Sequence, residues 1–105
     1  MWFVFPQITG LGFSSMSHRY AISGRDEAAA YDAHAVLGPR LRECTAMVNA
    51  AEDQTALQIL GSPDDLKFRS CMTLFSLCTA EPAIFNQALE KYFDGRVDEK
   101  TVALL

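Results

Sequence analysis

Apolar positions recur along most of this chain at three- and four-residue intervals, the period of a helix with one buried side. Leu41, Cys44, Thr45 and Val48 form one such stripe. Arg25 to His34 is alanine-rich, with Asp26 and Glu27 placed to complement the positive end of a helix dipole. Val36-Leu37-Gly38-Pro39 reads as a corner in which Gly38 caps and Pro39 opens a helix running to about Glu52. Thr55 to Leu60 reads as a short helix ended by Gly61. In Ser62-Pro63-Asp64-Asp65, Ser62 is the expected cap, Pro63 the first helical residue and the aspartates an acidic first turn. Pro82 opens a further helix that Gly95 ends, and Asp98 is placed to cap a last one from Glu99 to Leu105.

The helix near residues 63–79 stands apart. On a wheel of about 100° per residue, Asp65, Arg69, Thr73 and Ser76 occupy an arc of about 80°. Leucines, phenylalanines, Met72 and two cysteines take most of the rest, with Lys67 and Ser70 among them. A helix apolar over that much of its circumference is surrounded by others, so it is expected at the centre. The polar arc is expected to face water or to form ion pairs four residues apart.

The first quarter of the chain is less regular. Trp2 to Phe5 could form a short strand, ended at Pro6 because the residue before proline avoids helical geometry. Gln7 to Ser15 reads as a loop, and Ser14 or Ser15 can cap a short helix reaching Tyr20 to Ile22. The whole predicts an all-α, compact single domain of about six or seven short helices around the central one.

Composition narrows the class further. With 105 residues, half of them hydrophobic, the chain is one domain in size and has enough apolar material to fold. No run approaches the roughly 18 apolar residues of a membrane span. Nine basic residues are scattered against 13 acidic ones, so neither nucleic acid nor a charged membrane surface is an expected partner. Cys44, Cys71 and Cys78 are odd in number and lack zinc spacing, which fits thiols in a reducing cytoplasm.

Candidate chemistry is sparse. His18 and His34 lack metal-ligand spacing, and His34 is expected to sit at a helix end and interact with its dipole. Asp64 and Asp65 are adjacent, so they do not face each other as an acid–base pair would. Gly10-Leu11-Gly12 lacks the glycine and lysine of a phosphate loop, and no serine has the setting of a nucleophile elbow. Lys67 and Ser70 are neighbours within the apolar arc, where a lysine must snorkel, pair with a carboxylate or line a cavity. No metal or cofactor is called for.

Several motifs occur in order: Trp2-Phe3-Val4-Phe5-Pro6-Gln7, Gly10-Leu11-Gly12, Arg19-Tyr20-Ala21-Ile22 and Val36-Leu37-Gly38-Pro39-Arg40-Leu41. Ser62-Pro63-Asp64-Asp65-Leu66-Lys67 and Met72-Thr73-Leu74-Phe75 follow. Across its whole length the chain resembles the bacterial domain-of-unknown-function family 1810, whose members are sometimes labelled calpastatin. The resemblance implies a compact, mainly helical domain and no established reaction. Family members often have proline where Ala35 stands and serine where Cys71 stands. They usually begin earlier, with a helix and a His-Trp-Met-Trp run, so residues 1–105 are expected to be a single domain lacking that helix. The calpastatin label conflicts with composition, since that inhibitor works through long disordered polar segments.

Two functions are expected to compete. One is a small cytoplasmic module binding a protein or small ligand. The other is an enzyme acting on a nucleotide-like molecule through a polar pocket around Gln7, His34, Asp65 and Lys67. Tyr20 and Ser70 complete the candidate ligand-binding set. An exposed Trp2–Phe5 region would favour a homodimer.

Overall fold

The computed structural model describes residues 5–11 and 21–105. Among them are six helices: α1 (Arg25–Ala33), α2 (Leu37–Ala50), α3 (Ala56–Leu60), α4 (Asp64–Cys78), α5 (Ala83–Phe93) and α6 (Glu99–Leu104). The architecture is all-α, and α4 is its axis, packed against α1, α3, α5 and α6. Phe68 and the run from Ser70 to Phe75 are buried whichever side of the helix they occupy. The expected central position of this helix therefore holds.

Aromatic rings join the layers. Phe75 lies 5.7 Å from Phe85 of α5 and 5.6 Å from Tyr31 of α1. Phe68 meets Phe5 edge-to-face at 4.8 Å, which brings the segment before α1 onto α4. Such a pair adds about 0.5–1.5 kcal/mol to the transfer energy of the rings. Phe5 is thus part of the core, 5% exposed, and not the exposed edge the sequence suggested. Trp2 to Val4, the expected short strand and most of the expected helix before Ile22 lie outside the described residues. Ile22 itself is not helical. It forms a parallel bridge with Ile8, donating its amide to the Gln7 carbonyl at 2.7 Å and accepting from Thr9 at 2.8 Å.

Helix ends follow the local signals with three corrections. Thr55 and Gln58 form a reciprocal capping box before α3, and Gly61 ends that helix at φ 79°. Asp94 and Gly95 both take left-handed backbone after α5, and the Gly95 amide closes on the Leu89 carbonyl at 3.0 Å. Asp98 caps α6 through the Thr101 amide. Ser62, however, does not cap α4, and Pro63 stands just before the helix instead of within it. Helix α2 ends at Ala50, two residues short of Glu52.

The third correction concerns Gly38, which lies inside α2 and caps nothing. A Cβ there would fall 1.9 Å from the Asp32 carbonyl oxygen. Glycine is needed because the end of α1 presses on the first turn of α2.

Candidate functional site

The polar arc of α4 does not face water. Thr73 is wholly buried and Ser70 nearly so, whereas Leu66 and Leu77 are 57% and 43% exposed. The reason is the segment joining α5 to α6, which crosses the arc and brings backbone groups that need partners. Arg69 donates to the carbonyls of Arg96 (2.9 Å) and Val97 (2.7 Å) and lies against the Phe93 ring. Thr73 Oγ1 accepts the Asp98 amide at 2.8 Å and donates to the Arg69 carbonyl at 2.9 Å. Asp98 Oδ2 then accepts from Ser70 Oγ (3.1 Å), the Thr101 amide (3.1 Å) and Thr101 Oγ1 (2.6 Å). Ser70, placed by the sequence among ligand-binding candidates, is here a strut between α4 and α6.

Two further clamps hold the other side. Arg42 of α2 grips both carboxylate oxygens of Asp32 at 2.8 and 2.9 Å, donates to the Glu81 carbonyl and lies over the Phe85 ring. The hydrogen bond to Asp32 raises the Arg42 pKa further. At the far end of α2, Lys91 donates to the carbonyls of Asn49 and Ala51, and Tyr92 to that of Val48. A cation from α5 thereby meets the negative end of the α2 dipole. Arg42, Arg69 and Lys91 are all committed to the fold. Sequence reasoning missed these clamps because each joins residues far apart in the chain.

The remaining candidates are spread over several elements. Gln7 is half-buried at the bridge to Ile22, and Tyr20 lies outside the described residues. His34 is exposed between α1 and α2, where Nδ1 accepts the amides of Val36 (3.1 Å) and Leu37 (3.2 Å). The imidazole therefore serves the start of α2 as an acceptor, and not only the end of α1 as the sequence suggested. Asp65 and Lys67 lie half-buried in the first turns of α4. Asp65 Oδ1 is enclosed and accepts no hydrogen bond among the described residues. His34 and Ser70 are engaged at different places, the α1–α2 corner and the α4–α6 seam.

Burial pushes the Cys71 thiol well above its ordinary range, and Cys78 moves the same way although Arg25 opposes it. No group of three or more His, Cys, Asp or Glu suits a metal ion among the described residues. No helix among them is long and apolar enough to cross a membrane.

An all-α domain in which Arg42, Arg69 and Lys91 clamp helices to their neighbours is the class defined by this geometry. The chain belongs to the family described as "Protein of unknown function (DUF1810)", whose model matches residues 1–105. It is similar to the crystal structure of the conserved hypothetical protein Rv1873 from Mycobacterium tuberculosis, with 51% identity and a TM-score of 0.97. That match covers 99% of this chain and 74% of the other. No curated protein matches.

Proposed function

We propose that the protein is a binding module for a small molecule or a segment of a partner protein, and that it meets its ligand at the first turns of α4. The observation behind this reading is the Asp65 carboxylate, whose enclosed Oδ1 has no donor among the described residues. An enclosed acceptor without a partner costs about 1–3 kcal/mol, and a ligand N–H or O–H would remove that cost. Exposed Leu66 beside it offers an apolar flank. Lys67 stands two residues on from Asp65, about 200° around the helix, and Gln7 and Tyr20 are the candidates from the segment before α1.

The alternative is an enzyme acting on a nucleotide-like molecule through Gln7, His34, Asp65 and Lys67. It has less support, because His34 Nδ1 is occupied by two backbone amides. The three free thiols support a reducing cytoplasmic setting. Residues 1–105 are read as one domain. Self-association through residues 2–5 has less support than ligand binding, because Phe5 already packs on Phe68.

Thermal shift with nucleotides, sugars and amines tests the reading on wild type and Asp65→Ala. A ligand at 100 times its Kd adds about 2.7 kcal/mol to the wild type and nothing to the variant. The unliganded variant should lose no more than the ~0.3–1 kcal/mol of a first-turn carboxylate. A larger loss would make Asp65 structural, and equal shifts in both proteins would place the ligand elsewhere.

A further inference from the structure

We propose that His34 is a proton-operated cap at the α1–α2 corner, serving α2 when its imidazole is neutral and only α1 when it is protonated. His34 follows the last residue of α1, donating its amide to the Tyr31 carbonyl at 3.2 Å. It has extended backbone (φ −66°, ψ 135°), and its carbonyl accepts the Gly38 amide at 3.1 Å, the first hydrogen bond of α2 type. Its Nδ1 accepts the amides two and three residues on. Val36, the residue just before α2, already has helical backbone and brings no side-chain cap, so His34 fills the capping role two residues earlier that usually falls to the oxygen of Ser, Thr, Asp or Asn.

A histidine in that role differs from an oxygen cap in one respect. Its acceptor is a single nitrogen lone pair, so the proton must reside on Nε2, and protonation of Nδ1 turns acceptor into donor. The imidazolium then sets an N–H against the amides of Val36 and Leu37. The same ring lies at the carbonyl end of α1, where a positive charge is favoured. Protonation accordingly trades one helix end for the other and leaves the fold standing.

Among the described residues, no neighbouring charge is paired with the imidazole. On α1, Asp32 is held by Nε and one terminal nitrogen of Arg42, and Tyr31 stays protonated because burial raises its pKa. On α2 the cations are Arg40 and Arg42, and from the turn before α5 Glu81 meets Arg42 through its carbonyl. No carboxylate lies within ion-pair distance of the imidazole among the described residues. The corner is also pinned by the contact of Gly38 with the Asp32 carbonyl, so the change is confined to the first turn of α2.

The test is amide hydrogen exchange of Val36 and Leu37 by NMR, each rate divided by the intrinsic rate at that pH. Wild type, His34→Asn and His34→Ala are compared through the titration of the imidazole. His18 is present in all three, so differences belong to His34. At high pH the wild type should match His34→Asn, whose amide oxygen caps at every pH. On acidification it should lose roughly fivefold in protection and converge on His34→Ala. Melting temperatures of the three should stay close. The 15N shifts of the neutral wild-type ring should show an unprotonated Nδ1. A flat profile parallel to His34→Asn, or a proton on Nδ1 in the neutral ring, would overturn the proposal.

Discussion

Asp98 donates its backbone amide to the hydroxyl of Thr73 at 2.8 Å, so a side chain inside the central helix supplies the acceptor that the start of α6 needs. Twenty-five residues separate the two. The Thr73 hydroxyl donates in turn to the backbone carbonyl of Arg69, whose guanidinium reaches back to the carbonyls just before Asp98. The last third of the chain is closed by this cycle.

Replacing Thr73 by valine keeps shape but leaves the Asp98 amide without its acceptor. The expected cost is about 1–3 kcal/mol in urea unfolding, the penalty for a buried unmet donor. Thr45→Val is the control, because Thr45 is equally buried and bonds only to the Leu41 carbonyl of its own helix. It should change stability far less. Equal losses for the two would mean that the Thr73–Asp98 bond is not what matters.

Gly38→Ala tests the α1–α2 corner. Helix propensity alone favours alanine by about 1 kcal/mol at an internal position. The new methyl would nevertheless meet the Asp32 carbonyl, which belongs to backbone and cannot swing aside. A net loss of about 1–3 kcal/mol is expected from overpacking. Gly24→Ala, with nothing within 4 Å and an extended φ of 171°, should be close to neutral. A stabilised Gly38→Ala protein would show that the two helices are not in close contact.

Burial raises the Cys71 pKa, which gives stability a defined pH dependence. A raised folded-state value means that the folded protein holds its proton more tightly than the unfolded chain. The contribution is fully present below the ordinary thiol value of 9.0 and is lost as pH rises towards the folded value. Tyr31 adds the same sign above its ordinary 10.0. Stability measured by denaturant should fall above about pH 9, and Cys71→Ala should reduce that slope. In the native protein an alkylating reagent should modify the half-buried Cys44 and Cys78 before Cys71. Early labelling of Cys71 would contradict its enclosure.

Legibility from sequence varied with how local each signal was. Pro82, Gly95 and Asp98 marked helix ends correctly, because capping and left-handed turns depend on residues within a few positions. Gly38-Pro39 resembled a cap for the same local reason, yet the glycine answers to a carbonyl of another helix. A wheel drawn on α4 placed Thr73 and Arg69 on the wet side and leucines on the dry one. The reverse holds at Leu66 and Leu77, because a wheel records period and not which neighbour arrives. Of the candidate site residues, Ser70 and His34 acquired structural tasks, and Asp65 retained an unmet acceptor.

By itself the amino-acid sequence determined the helical class, the approximate helix limits and the burial of α4 on nearly all sides. These follow from short-range hydrogen bonding and from the excess of apolar residues on that segment. Tertiary structure alone decided which polar groups are internal and which cations are spent. Whether a hydroxyl meets water or a backbone amide depends on the chain that crosses it, and for Thr73 that chain is the approach to α6.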